Sequence, residues 1–183
     1  MKEIITIRVS KYLSDELAKK VAWMRWGTSA PEYVNCVRNA VFDELTDEND
    51  CFEVIAMTAK GEVVGSMHCI RNETDYLLWY YGDLFVTPEY RRMGIARQIV
   101  ETAISRLSEI GAAVLRCYVD PNNMPSRNLQ KSIGFEEKPF KTFNCLCNYG
   151  QIMHEIKIPN CFCVIPATVN EAYFVMIMFA QNK

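Results

Sequence analysis

At 183 residues, half of them hydrophobic and 11% aromatic, the chain is long enough to fill one core and short for two. A net charge of −2 gives no global reason to expect nucleic acid as a partner, so any basic site must be local. The opening Met1-Lys2-Glu3-Ile4 lacks the charged-then-apolar layout of a signal peptide, and no apolar run approaches the ~20 residues that span a bilayer; both point to a soluble, cytoplasmic protein without a membrane partner.

The first half of the chain alternates between strand and helix signals. Ile4 to Val9 places Ile5, Ile7 and Val9 on one face and Ile4, Thr6 and Arg8 on the other, as in a half-buried strand. Ser14, followed by Asp15 and Glu16, predicts a helix start. Leu17, Ala18, Val21, Ala22 and Met24 form its apolar side before Gly27, with Trp23 and Trp26 near its end. Ser29-Ala30-Pro31-Glu32 carries a capping-box signature, and Tyr33, Val34, Val37, Ala40 and Val41 continue as a second helical stripe. The acidic run from Asp43 to Asp50 reads as a frayed helix end and a solvated loop. Cys51 to Ala59 and Glu62 to Ile70, joined by Lys60-Gly61, predict an antiparallel hairpin.

The unit around which the rest is organised runs from Tyr76 to Gly111. An aromatic-rich strand containing Gly82, which suggests a bulge, ends with Leu84-Phe85-Val86 at Thr87-Pro88, where proline cannot continue a ladder. From Ile95 the apolar residues fall at 95, 96, 99, 100, 103, 104, 107 and 110, which predicts one buried helical face closed by Gly111. Between strand and helix lies the turn Arg91-Arg92-Met93-Gly94. A helix N-terminus has unpaired N–H groups and the positive end of the macrodipole; Gly94 leaves room for a phosphate, and Arg91 and Arg92 offer charged donors.

The rest of the chain is read more coarsely. Ala112 to Val119 predicts a fifth strand, about Pro125 to Ser132 a helix stopped by Gly134, and Phe140 to Leu146 and Ile152 to Ile158 two further strands. Beyond Pro159 the apolar run Ala172 to Ala180 is too short to span a membrane and too apolar to stay exposed. It either adds a strand to the same sheet or covers a subunit interface, with a homodimer contact favoured. The eight cysteines are expected to be reduced. Cys145-x-Cys147 and Cys161-x-Cys163 admit a four-thiolate metal site, but residues two apart on a strand share a face and cysteine packs as a small apolar group, so no metal is expected. His68 and His154 read as ordinary strand residues.

The turn resembles the Gln/Arg-x-x-Gly-x-Gly/Ala motif of the GCN5-related N-acetyltransferase (GNAT) family. It stands here as Arg91-Arg92-Met93-Gly94-Ile95-Ala96 after the lead-in Val86-Thr87-Pro88-Glu89-Tyr90. A second family element, Asn-x-x-Ala/Ser followed by a short helix and Gly-Phe, matches Asn123-Met124-Pro125-Ser126 and Gly134-Phe135. The resemblance is strong from 76 to 135. It implies an α/β fold with a mixed central sheet flanked by helices, a GNAT domain over 1–158 and a C-terminal extension over 159–183.

The same resemblance implies an N-acetyltransferase that moves acetyl from acetyl-CoA to an amine of a small molecule or peptide by direct attack. The turn Arg91 to Ala96 would hold the pyrophosphate; Leu84, Phe85 and Val86 would meet the pantetheine arm and thioester through their backbone; Asn123 and Ser126 would complete the coenzyme contacts. In the family the fourth strand bulges away from the fifth, and Gly82 is the candidate for that bulge. Asp83 on the same strand is the candidate base. The family's usual tyrosine, four residues after Ser126, is replaced by Gln130, which cannot donate a proton as a general acid; Tyr118 or Tyr81 are the alternatives. Two other readings are a catalytically silent acyl-CoA sensor and a protein-interaction module built on the acidic loop and apolar tail.

Overall fold

The computed structural model describes residues 4–11, 13–39, 51–138, 152–158, 162–166 and 174–178. The elements, in chain order, are β1 (Ile5–Ser10), α1 (Asp15–Trp26), α2 (Pro31–Asn39), β2 (Cys51–Thr58), β3 (Val63–Arg71), β4 (Leu78–Val86), α3 (Ile95–Glu109), β5 (Val114–Val119), α4 (Met124–Ile133), β6 (Glu136–Lys138), β7 (Ile152–Lys157), β8 (Phe162–Pro166) and β9 (Phe174–Met178). Seven strands form one mixed sheet in the order β1-β2-β3-β4-β5-β7-β6. By compactness the chain divides into residues 1–71 with 81–103 and residues 72–80 with 104–183, so β4 and α3 each run from one unit into the other.

In the first unit, β1, β2 and β3 pair antiparallel, and the expected hairpin closes through Gly61 at φ +80°. The helix starts are set by local chemistry. Ser14 accepts a hydrogen bond from the Leu17 N–H at 3.3 Å and Gly27 ends α1 in the left-handed conformation, as the sequence predicts. The capping box at Ser29 does not form as expected: Pro31 is the first helical residue, which puts Ala30 at the cap position, and the Thr28 hydroxyl accepts from the Ala30 N–H instead. Leu17, Ala18, Val21 and Ala22 from α1, with Val34 and Val37 from α2, bury themselves with Ile55 and Val63 of the sheet.

In the second unit, β4 pairs parallel with β5 from Leu78↔Val114 to Tyr80↔Arg116, and β7 lies antiparallel to β5 and to β6. The short strand Glu136–Lys138 had no sequence signal beyond its position after Gly134-Phe135. Gly111 and Gly134 end α3 and α4 at positive φ, each followed by an N–H that reaches back to a carbonyl of the last turn: Ala112 to Leu107 at 2.9 Å, Phe135 to Gln130 at 3.0 Å. On α3, whose residues up to Ala103 belong to the first unit, the buried row is Ile95, Ile99, Val100, Ala103 and Leu107. Ala96 and Ile104 are half-buried, and Ile110 is exposed, so the apolar face is narrower than its spacing suggests.

β8 and β9 pair with each other, from Phe162↔Met178 to Pro166↔Phe174, as a separate two-stranded sheet. Among the described residues the tail therefore does not extend the seven-stranded sheet, one of the two roles expected of it. The acidic run 43–50, the strand expected over 140–146 and Cys145, Cys147 and Cys161 lie outside the described residues. Cys36 and Cys69 are free thiols, and burial pushes the Cys69 thiol well up. No helix among the described residues is long and apolar enough to cross a membrane.

Candidate active site

The predicted residues fall into two sets, one in each unit. Asp83 through Ala96 belong to the first, and Tyr118, Asn123, Ser126 and Gln130 to the second.

In the first unit the end of β4 is fixed before the turn begins. The Thr87 N–H donates to the Val64 carbonyl at 2.9 Å. Gly65 of β3 admits the approach: a Cβ there would stand 3.0 Å from Ile99 Cδ1, 3.1 Å from the Phe85 carbonyl oxygen and 3.3 Å from Val86 Cγ2. After the single 3-10 turn Pro88–Tyr90, Arg91 folds back; its Nε donates to the Val86 carbonyl at 2.9 Å and its guanidinium lies 5.7 Å from the centre of the Phe85 ring. Arg91 thus braces the strand end as well as lending charge.

Arg92 and Gly94 both take the left-handed hand, at φ 62° and 80°, and residues 91 to 94 are exposed. Left-handed residues spaced through a turn direct successive N–H groups into a concavity that suits an anion. Gly94 accepts the first helical bond of α3, from the Gln98 N–H at 3.1 Å, and the first turn of α3 carries no acidic residue. A Cβ on Gly94 would meet only Gln98 Nε2, at 3.8 Å, so its approach is open. The turn fits a diphosphate.

Asp83 is the other unusual residue. It holds φ 53° inside β4, directly after Gly82, the residue expected to mark a bulge, and the pairing of β4 with β5 ends just before both, at Tyr80↔Arg116. Aspartate accepts this conformation better than most residues, at a cost of about 1–2 kcal/mol. Its carboxylate is largely exposed and lies 3.5 Å from Arg25 Nη1.

Arg25 belongs to a buried polar cluster that the sequence did not reveal. Its Nε and Nη2 donate to Ser66 Oγ at 3.0 and 2.7 Å, and Nη2 also donates to Glu53 Oε1. Both side chains are almost wholly buried. Glu53 Oε2 lies 3.5 Å from His68 Nδ1, across the register pair Glu53↔His68. The available signal was a carboxylate between Phe52 and Val54 in a strand otherwise apolar on both faces.

In the second unit, Tyr118 stacks on Tyr80 with ring centres 6.2 Å apart. Asn123 is the cap of α4, its Oδ1 accepting from the Ser126 N–H at 3.2 Å. Gln130 is 1% exposed, with neither end of its amide hydrogen-bonded among the described residues. Arg127 of α4 donates to Glu137 at 2.9 Å, and Lys131 stands 3.2 Å from the same carboxylate, holding Glu137 down to about 2.

This architecture is matched by comparison with known proteins. The sequence model of the acetyltransferase (GNAT) family covers residues 19–135, and the chain belongs to that family. Among solved structures, a GNAT-family acetyltransferase from Desulfovibrio desulfuricans superposes with a TM-score of 0.64 at 14% identity, over 85% of this chain and 99% of that one. The ribosomal-protein-S18-alanine N-acetyltransferase of Escherichia coli gives 0.63 at 16%, over 84% and 94%. The PaiA N-acetyltransferase of Thermoplasma acidophilum, solved in complex with coenzyme A, gives 0.58 at 18%, over 83% and 99%. No curated protein shows a significant sequence match.

Proposed function

We propose that the protein is an acetyl-CoA-dependent N-acetyltransferase whose acceptor is a primary amine. The observation that carries this reading is the paired left-handed turn at Arg92 and Gly94, opening directly into α3, in a member of the GNAT family. Its N–H groups and the helix dipole favour the diphosphate, and Arg92 adds a positive charge beside it. Leu84, Phe85 and Val86 lead into that turn and are the segment proposed to meet the pantetheine arm.

Acetyl-CoA supplies an activated thioester: the nitrogen–carbonyl bond forms as the carbon–sulfur bond breaks, and the thiolate takes a proton from solvent or a nearby acid. The chain's own task is to deliver a neutral amine in line, which in favourable models is worth up to about 7–11 kcal/mol. Asp83 is the proposed acceptor of the amine's proton, directly or through water. Gln130 cannot serve as the acid, and its burial argues against direct contact with the acceptor. Tyr118 remains the proposed donor to the thiolate.

Calorimetric titration with acetyl-CoA tests the binding half, with saturable heat expected. Free-thiol release across spermidine, an N-terminal alanyl peptide, a lysine peptide and an aminoglycoside tests the transfer half. Binding without thiol release on any amine would favour the silent sensor; no heat of binding would leave the interaction module.

A further inference from the structure

The cluster around Arg25 has a directional imbalance. On its buried side the guanidinium is anchored by Ser66 and by the buried Glu53. Its remaining edge is different: Nη1 is buried, makes no hydrogen bond among the described residues, and has Asp83 Oδ2 as an ion-pair partner at 3.5 Å. Asp83 in turn is held left-handed in mid-strand with its side chain 61% exposed. One strained, accessible carboxylate is thus backed by one buried, fixed cation.

Glu53 determines what that cation does. Were Arg25 alone behind Asp83, the two charges would cancel and an ammonium would find little attraction there. With Glu53 paired to Arg25, the buried pair is neutral as a unit, and Asp83 retains its negative charge toward solvent while one guanidinium edge still orients it. Ser66, His68 and Cys69, all from β3, also face the cluster among the described residues, with His68 Nδ1 on the far oxygen of Glu53 and the buried Cys69 thiol raised by burial and by the charge of Glu53. α1, β2, β3 and β4 each contribute one or more of these side chains.

We infer that Arg25, anchored by Glu53 and Ser66, is the positioning residue of the acceptor subsite, and that it orients Asp83 to receive the ammonium of a cationic acceptor. The inference rests on the acetyltransferase reading above and assigns its acceptor side. Arg25 and Glu53 themselves do not touch the acceptor. The ammonium gives one proton to the Asp83 carboxylate, directly or through a relaying water, and the amine so released is the nucleophile.

The test is a double-mutant cycle on whichever of spermidine and the alanyl peptide releases more thiol. Asp83→Asn is expected to lower kcat/KM about 100-fold, within the range of a lost proton acceptor. Arg25→Lys keeps the charge beside Glu53 but loses the planar fork, and is expected to cost about tenfold with coenzyme affinity unchanged. In the Arg25→Lys background, Asp83→Asn should cost about tenfold or less, because the orientation it depends on is already gone. Glu53→Gln, buried away from any acceptor, should raise the acceptor KM more than it lowers kcat. The paired change Arg25→Gln with Glu53→Gln replaces the lysine variant should that variant fail to fold.

Equal costs of Asp83→Asn in both backgrounds would overturn the inference while leaving the acetyltransferase reading intact. No thiol release by the wild-type protein would overturn that reading. The pair is then judged by urea midpoints of the same four proteins, where strictly additive shifts would overturn it and non-additive shifts would sustain the positional claim.

Discussion

α3 and α4 each begin after a strand, and their N-termini are finished in opposite ways. The end of α4 is closed by its own side chains: Asn123 accepts from the Ser126 N–H, and Arg127 ties the same turn to the Pro121 carbonyl at 2.9 Å and to Glu137. At the start of α3 the residue before the helix is Gly94, which has no side chain to offer, and the flanking residues 91 to 93 are exposed. A capped terminus spends its N–H groups on structure, whereas an uncapped one with left-handed residues before it keeps them for a ligand. The contrast separates a helix end closed by side chains from one left open to the binding role proposed above.

The most damaging way to break this contrast is to close the open end. Gly94→Ala has room for its methyl group, since the nearest atom is Gln98 Nε2 at 3.8 Å, but it must hold φ 80° with a side chain. We expect acetyl-CoA affinity to fall at least about tenfold, or ~1.4 kcal/mol, in a calorimetric titration. An unchanged dissociation constant would remove the anion site from this turn.

The complementary change opens the closed end. Asn123→Ala removes the α4 cap and should lower stability by about 1 kcal/mol, read as a shift in urea midpoint at constant slope. Coenzyme affinity should stay within about twofold. A tenfold loss would instead restore Asn123 to the coenzyme contacts that the family motif implies.

Arg92 sharpens the comparison because its two effects should have opposite signs. Arg92→Gly relieves the left-handed strain of a branchless but Cβ-bearing residue, yet deletes the charge beside the turn. Weaker binding by about threefold, with no loss in urea midpoint, is the expected pair of results. A lower midpoint together with unchanged binding would make Arg92 a structural residue only.

How much of this was legible in the sequence follows from the range of each interaction. The strand, turn and helix from Leu78 to Glu109 are written in local signals, a proline stop, a glycine and a periodic apolar row, and all three elements form as expected. Ser14, Gly27, Gly111 and Gly134 were readable as helix ends for the same reason. The Arg25 cluster was not, because Glu53 and Ser66 lie 28 and 41 positions from Arg25 and meet it only when α1 packs on β2 and β3. The left-handed backbone at Asp83 was not legible either, because an aspartate does not announce positive φ in a strand, and here a carboxylate beside Arg25 accompanies the conformation.

The smallest expected effect concerns what keeps the α4 end closed in acid. Glu137, held down to about 2 chiefly by its hydrogen bond from Arg127 and next by Lys131, contributes stability that is present above the unfolded carboxyl range near 4.5 and is lost as pH falls toward 2. His154 behaves in the same direction at higher pH: burial lowers it below 6.5, so the unfolded chain binds the extra proton and stability is lost as pH falls below that value, although Glu137 at 3.8 Å opposes the shift. Glu137→Gln should therefore flatten the pH dependence of the urea midpoint between about 4.5 and 2 while leaving the step below 6.5 in place, and His154→Asn should do the reverse. If Glu137→Gln flattened both steps, the two groups would be titrating as one, and α4 would be fastened to the sheet through His154 as much as through Arg127.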